Sequence, residues 1–214
     1  MKLRVLLLLL AATLAPAQRG ADTTRPQLFF REDFKETPAA TPITQDHVKN
    51  PNVLLAIYGP GRQGMKKSHH DTPGDDPFYV WDGTCEGNCA ATLRHNASYA
   101  NLMGLSKIRW RTKQSGFRRL HIVLKLAGGA WLVSEPVAGA STDWRESEIP
   151  VADLMWRRLD INTLVEGAAV EHPDLSRVDE IGWTTLMTGG GTPASSRVDW
   201  IELYARAMPR QNPK

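Results

Sequence analysis

The sequence has few of the features that mark a zinc protein, a membrane protein or a nucleotide-binding enzyme. It contains two cysteines, and these with His95 do not complete the four ligands of a structural zinc site. Neither a Gly-x-Ser-x-Gly elbow nor a Walker-type loop is present. The Gly189-Gly190-Gly191 run leads toward a predicted strand and lacks the helix N-terminus that cradles phosphate, so a mobile connection is expected there. Charged or turn-forming residues interrupt even the most apolar internal segment, residues 120–133, so no membrane insertion is expected.

The chain also lacks a strong excess of either charge. It has 26 Lys and Arg against 23 Asp and Glu. Removal of residues 1–17 would take away two basic residues and no acidic ones, which leaves a net charge of +1. Nucleic-acid binding usually needs a concentrated basic field. The local basic stretch at residues 109–119 is too short to supply one, so no nucleic-acid partner is predicted.

An export signal is predicted at the amino terminus. Lys2 and Arg4 precede an apolar run at residues 5–14, and Ala15-Pro16-Ala17 is a small-x-small cleavage site. The run is shorter than the roughly 20 residues that span a bilayer. We therefore expect a signal peptide at residues 1–17 and a secreted or periplasmic mature protein.

The remaining chain is long enough for one all-β domain. We expect a flexible leader at residues 18–27, a single domain at 28–207 and a short tail at 208–214. Within the domain, residues 59–77 are rich in Gly, Lys, His and Asp and predict a long exposed loop.

Cys85 and Cys89 are separated by three residues in a chain predicted to reach an oxidising compartment. A small loop-closing disulfide is therefore expected. Asn96-Ala97-Ser98 matches a glycosylation sequon, which is used only in a host with that machinery.

Period-two alternation of apolar and polar residues dominates the second half of the chain. It places Trp110 and Trp200 on inward faces, and Gly128-Gly129 predicts the turn of an antiparallel hairpin. Helical periodicity is limited to short turns at residues 151–155 and 173–178. The predicted strands cover residues 29–34, 53–58, 107–112, 119–126, 130–134, 145–149, 156–161, 178–184 and 197–205. Many short strands without helices predict an antiparallel β-sandwich.

Residues 144–204 resemble the galactose-binding-like jelly roll of extracellular carbohydrate-binding modules. The shared features are Trp144 before a strand, the Glu148-Ile149-Pro150 turn, and Asp153-Leu154. They continue in a strand that ends in Ile-Gly-Trp at residue 183 and in the terminal Asp-x-Ile-x-x-Tyr pattern at residue 204. The resemblance implies a jelly-roll fold and carbohydrate binding without catalysis. Residues 35–98 have no recognised counterpart in that family.

The same resemblance implies a structural calcium ion between the first and last strands. Glu32 or Asp33 with Asp199 would supply the hard oxygen ligands, and simple surface carboxylates are the alternative. The cluster of His69, His70 and nearby aspartates lacks a fixed metal-ligand spacing, so no transition-metal site is predicted there.

An extracellular glycan or polysaccharide is the predicted partner, because sugar rings pack on aromatic faces and their hydroxyls need polar neighbours. Trp81 and Trp131 lie next to predicted turns and are the expected exposed platforms. Polar ligand contacts are expected from the outward faces of two strands, if those strands pair; a solvated sheet face is the alternative. The residues are Arg109, Arg111, His121 and Lys125. A face with two arginines would suit an acidic glycan.

Two other functions remain open. Glu146 and Glu148 share a face of a predicted strand, about 6.6 Å apart from the strand rise, as in some jelly-roll enzymes that hydrolyse or cleave glycans. A structural or adhesion module without a small ligand is the third possibility. The sequence does not indicate the sugar or the oligomeric state.

Overall fold

The computed structural model describes residues 25–72, 74–187 and 195–210. The predicted signal peptide, most of the predicted leader and Gly189-Gly190-Gly191 lie outside the described residues. Among the helical segments in the described ranges, none is long and apolar enough to cross a membrane.

The described residues form fourteen β-strands and three short 3₁₀ helices. The helices cover Gln45–His47, Arg62–Gly64 and Val151–Asp153. The strands are β1 (Gln27–Glu32), β2 (Val53–Tyr58), β3 (Lys66–Ser68), β4 (Tyr79–Trp81), β5 (Ala90–His95), β6 (Ser98–Asn101), β7 (Lys107–Gln114), β8 (His121–Leu126), β9 (Trp131–Ser134), β10 (Arg145–Pro150), β11 (Trp156–Asp160), β12 (Val165–Val170), β13 (Val178–Thr184) and β14 (Ser196–Pro209).

All strand pairs are antiparallel and fall into two sheets. Sheet A has the order β10-β7-β14, and β1 and β4 share the other side of β14, with β3 next to β4. Sheet B has the order β12-β11-β9-β8-β13-β5-β2. Strand β14 belongs to both, because its last residues pair with β6 in sheet B. The predicted all-β, antiparallel sandwich is confirmed.

The core lies between the sheets and follows the alternation of the strands. In β7 every second residue is buried, and Ile108 and Trp110 are fully enclosed. From sheet B, Ile122 and Leu124 join the same cluster, together with Leu203 of β14. Burial of each such apolar side chain contributes about 1.5–3 kcal/mol.

The predicted inward position of Trp200 is wrong because β14 contains a β-bulge. Its register against β7 shifts between Val198 and Trp200, and an extra residue reverses the faces of all residues that follow. Val198 and Ile201 therefore point into the core, whereas Trp200 lies on the outer face. There the Arg31 guanidinium lies 4.4 Å from the centre of the Trp200 ring.

The irregular first half of the chain contains more structure than its sequence predicts. The predicted loop at residues 59–77 includes β3, in which Lys67 is buried. Backbone hydrogen bonds join Lys67 to Ala40 on one side of β3, and β4 pairs on the other. Strands β4, β5, β6 and β12 were also not predicted.

Several shorter predictions are settled by the structure. Gly129 has a positive φ in the turn between β8 and β9, which confirms the predicted hairpin. A 3₁₀ helix forms at Val151–Asp153 as expected, but residues 173–177 form an irregular segment with a bend at 176–177, and Val178 begins β13. The predicted disulfide joins Cys85 to Cys89, both of which are buried.

Lys67 supplies a test of this packing. Its Nζ lies 4.3 Å from the centre of the Phe78 ring, and burial lowers its pKa to about 8. An unfolded lysine has a pKa of about 10.4, so the folded state disfavours the charged form. The free energy of unfolding should therefore rise as the pH increases from about 8 to about 10. Lys67→Met should abolish this rise and should stabilise the protein by about 2–3 kcal/mol at pH 7.

Urea denaturation across this pH range measures both effects. Lys66→Met, at the neighbouring and less buried lysine, is the matched control and should retain the rise. An unchanged pH profile in Lys67→Met would show that the buried ammonium does not carry the effect.

Candidate functional site

The polar residues predicted to share one binding face lie in different sheets. Arg109 and Arg111 are on β7 of sheet A, whereas His121 and Lys125 are on β8 of sheet B. The hypothesis that these two strands pair is wrong, because the connection between them crosses from one sheet to the other. His121 is also largely buried, with its Nδ1 2.8 Å from the carbonyl oxygen of Ser134.

The outer face of sheet B brings aromatic and polar side chains together. We call the surface formed by Tyr58, Thr92, Lys125, Trp131 and Glu180 the platform face. The rings of Tyr58 and Trp131 are 4.9 Å apart at an interplanar angle of 68°, and both are partly exposed. Lys125 Nζ lies 5.4 Å from the centre of the Trp131 ring. The face thus has two adjacent rings, one of which, Trp131, lies beside a cation.

The Glu180 carboxylate is the centre of the polar part of this face. It accepts hydrogen bonds from the Tyr58 hydroxyl at 2.9 Å and the Thr92 hydroxyl at 2.6 Å. The Lys125 ammonium donates a third at 2.8 Å. Glu180 is only 4% exposed, so these donors replace the water it lost on folding. Burial, and then the Glu180 charge, raise the pKa of Tyr58, which keeps the phenol protonated.

The strand register explains why these residues meet. Glu180 of β13 is opposite Lys125 of β8, and Lys125 is opposite Trp131 of β9. On the other side of β13, Gly182 is opposite Thr92 of β5. A Cβ at Gly182 would collide with the carbonyl oxygen of Ala91, so the close approach of β13 and β5 requires glycine.

A second, smaller hydrophobic cluster supports the platform face. Ala90, Val123 and Val133 form its floor on the outer side of sheet B, and Tyr58 and Trp131 pack against it. Leu164, from the turn between β11 and β12, covers one side. The Asn88 side-chain amide donates to the Leu164 carbonyl at 3.3 Å, which holds that turn in place. The rings therefore rest on packed structure.

A second carboxylate lies beside Glu180. Asp179 is 2.6 Å from Arg210, 3.1 Å from Arg94 and 3.7 Å from Lys125. Three cations, Arg94, Lys125 and Arg210, therefore share the two carboxylates beside the platform face.

Two of the six predicted ligand residues, Trp131 and Lys125, thus belong to the platform face. A third predicted ligand residue, His121, is on β8 like Lys125 but is buried. Trp81 lies in sheet A between Lys66 and Arg197. Tyr58 and Glu180 were missed. Tyr58 ends a correctly predicted strand, but no local pattern connects residue 58 with residues 131 and 180.

The two predicted arginines lie on the outer face of sheet A in a network of ion pairs. Arg111 pairs with Asp199 at 2.9 Å and lies 5.4 Å from the centre of the Trp144 ring. Arg109 pairs with Glu202 at 3.2 Å. Each arginine therefore already has a carboxylate partner.

The two glutamates considered as catalytic residues belong to this network. Arg109 lies 3.7 Å from Glu146 and 3.9 Å from Glu148, and both carboxylates are more than half exposed. The hydrogen bond from Lys107 lowers the pKa of Glu148. A glycosidase general acid needs the opposite shift. This arrangement favours surface ion pairs over acid catalysis.

The three residues considered for calcium have protein partners. Both oxygens of the buried Glu32 carboxylate accept backbone N–H groups, from residues 34 and 49 at 2.7 Å and from residue 50 at 2.9 Å. Asp33 pairs with Arg31 at 2.6 Å, and Asp199 pairs with Arg111. Within the described ranges no group of three or more His, Cys, Asp or Glu is arranged to hold a metal. Calcium binding stays a prediction.

Comparison with known proteins finds similarity in solved structures alone, because no family model and no curated protein matches the chain. A mutant family 29 carbohydrate-binding module with cellulohexaose is 10% identical, at a TM-score of 0.43, over 77% of this chain and 89% of that chain. A second mutant of a family 29 module, with mannohexaose, is 12% identical at a TM-score of 0.44. The match covers 81% of this chain and 91% of that chain. A family 11 module from Clostridium thermocellum, with a β-1,3-1,4-mixed-linked tetrasaccharide, is 16% identical, with a TM-score of 0.40, over 84% and 98%.

Glu180→Ala tests whether this carboxylate organises the platform face. The substitution removes the acceptor of three donors, of which Thr92 is buried and Tyr58 and Lys125 are half-buried. We expect a loss of about 2–4 kcal/mol in the free energy of unfolding, measured by urea denaturation. The control Glu166→Ala, at an exposed strand glutamate, should change stability by less than about 0.5 kcal/mol. Equal losses in the two variants would contradict a special role for Glu180.

Proposed function

We propose that this domain binds a carbohydrate chain on the platform face and does not transform it. The observation that supports this most directly is the pair of partly exposed rings, Tyr58 and Trp131, beside the Lys125 and Glu180 charges. Pyranose rings have apolar C–H faces that pack on aromatic rings, and hydroxyl groups at their edges that need hydrogen-bond partners.

Each side chain has a separate role in this proposal. Trp131 supplies the flat surface for one sugar ring, and Tyr58 supplies an edge and a fixed hydroxyl group. The Lys125 ammonium has three N–H groups and contacts two carboxylates, Asp179 and Glu180. One donor remains for a sugar hydroxyl.

The existing ion pairs of the platform face favour a neutral glycan over an acidic one. The arginines that suggested an acidic ligand lie in sheet A, and each of the three cations near the platform face already pairs with Asp179 or Glu180. A uronate or sulfate would have to compete with those two carboxylates for Lys125.

We further propose that the domain acts outside the cytoplasm, secreted or in the periplasm. The amino-terminal pattern of a signal peptide supports this, as does the Cys85–Cys89 disulfide, because such bonds persist in oxidising compartments.

Binding to a panel of neutral and acidic polysaccharides, followed by calorimetry with oligosaccharides, tests the function. Trp131→Ala should weaken binding about 10-fold or more, which corresponds to about 1.4 kcal/mol or more of lost contact energy. Trp81→Ala is the matched control, because its ring lies in sheet A, and it should bind like the wild type. Near-UV circular dichroism verifies that both variants fold.

The proposal is wrong if no polysaccharide binds the wild-type protein, or if the two tryptophan variants bind equally well. A preference for acidic polysaccharides would refute the neutral-ligand assignment.

A further inference from the structure

A row of cations and aromatic rings crosses the outer face of sheet A at the end that includes β3 and β4. In the strand register, Lys66 of β3 is opposite Trp81 of β4, and Trp81 is opposite Arg197 of β14. Arg197 is in turn opposite Lys113 of β7. The Lys66 ammonium and the Arg197 guanidinium lie 5.5 and 5.9 Å from the centre of the Trp81 ring. We call Lys66, Lys113 and Arg197 the cation row.

The three members of the cation row have no carboxylate within ion-pair distance in the described part of the chain, and each is partly exposed. Other cations of the same sheet differ in this respect. Arg109 pairs with Glu202, and Arg111 pairs with Asp199. Because folding leaves the charges of the cation row without an internal partner, they are available to an anion from outside the protein.

Aromatic side chains lie along the cation row. Arg197 lies 5.8 Å from the centre of the Tyr79 ring, and that buried ring lies 5.5 Å from the ring of Trp144. Trp144 directly precedes β10, at the end of that strand that pairs with residue 112 of β7. Trp81 and Trp144 are both partly exposed. Two indole rings are therefore held beside the unpaired cations.

We propose that the cation row binds the acid groups of an anionic polysaccharide, at a site separate from the platform face. Ammonium and guanidinium groups form charge-assisted hydrogen bonds with carboxylate and sulfate oxygens. The indole rings of Trp81 and Trp144 can pack on the C–H faces of the sugar rings that carry those acid groups. With strands about 4.8 Å apart, the row extends about 14 Å from Lys66 to Lys113, which is the length of a short oligosaccharide.

The surroundings of the cation row favour a single polysaccharide chain over a nucleic acid. Nucleic-acid binding needs a concentrated basic field that covers many phosphates. The outer face of sheet A does not extend the row into such a field, because the charges of Arg109 and Arg111 are matched by Glu202 and Asp199. A polysaccharide that follows one row of side chains across the strands does not require a wider field.

Binding of polygalacturonate and of dextran sulfate to the purified protein at low salt tests the proposal. Lys66→Gln/Arg197→Gln should weaken binding by about 10-fold or more, because a hydrogen bond to a charged group contributes about this factor. The probe that binds more tightly identifies the acid group as carboxylate or sulfate. Arg158→Gln/Arg177→Gln removes the same charge from exposed positions outside sheet A, and this matched control should bind like the wild type.

Three results would overturn the proposal. The first is that neither probe binds the wild-type protein, and the second is that the two double variants lose binding equally. The third is that duplex DNA binds as tightly as the polysaccharides, which would show that charge alone is recognised.

The platform face lies on the opposite side of the sandwich, so the two sites can be tested separately. Trp131→Ala should lose neutral oligosaccharides and retain the acidic probes, whereas Trp81→Ala should show the reverse. The preference of the platform face for neutral glycans is measured in Lys66→Gln/Arg197→Gln, in which the cation row is removed. Failure of either site thus leaves the result for the other unaffected.

Lysine acetylation of the wild-type protein covers the case in which a variant fails to fold. The bound acidic polysaccharide should protect Lys66 and Lys113 from acetylation, as measured by mass spectrometry. Lys125, on the opposite sheet, should react to the same extent with and without the probe. Equal protection of all three lysines would contradict a site at the cation row.

Discussion

Buried carboxylates that accept hydrogen bonds hold the irregular first half of this domain on the regular sheets. Glu32, at the end of β1, accepts three backbone N–H groups from segments that belong to neither sheet. Asp82 accepts the N–H of Ser196 at 2.6 Å and the hydroxyl of Thr185 at 3.0 Å. Burial raises the pKa of both acids, yet an unpaired buried N–H would cost about 1–3 kcal/mol. The same device recurs in the platform face, where Glu180 fixes Tyr58 and Thr92.

The sandwich was predictable because alternation determines which side chains of a strand face inward. Residues 53–58 and 178–184 were predicted with their observed bounds. Alternation does not specify which sheet a strand joins, so β7 and β8 were wrongly placed together. It also fails at a bulge, since one extra residue near Asp199 moves Trp200 from the inner to the outer face of sheet A, where it is still buried.

Only part of the candidate site was predictable, because alternation along a strand does not specify which strands are neighbours. Trp131 and Lys125 are close in sequence, across one hairpin, and their proximity follows from the Gly128-Gly129 turn. Tyr58 and Glu180 are 122 residues apart and meet through β5, a strand that was not predicted. A surface assembled from several strands requires knowledge of the sheet order, which short-range patterns do not contain.

Strand β14 joins the two layers of the sandwich with one continuous backbone. Its first part pairs with β7 and its last four paired residues pair with β6, so the chain passes from sheet A to sheet B without a loop. A force that slides one sheet over the other must therefore shear two hydrogen-bond ladders at once. Under a shearing force, the corner at β14 should resist such sliding, so that load is shared between the layers and the spacing of surface groups on sheet B is preserved.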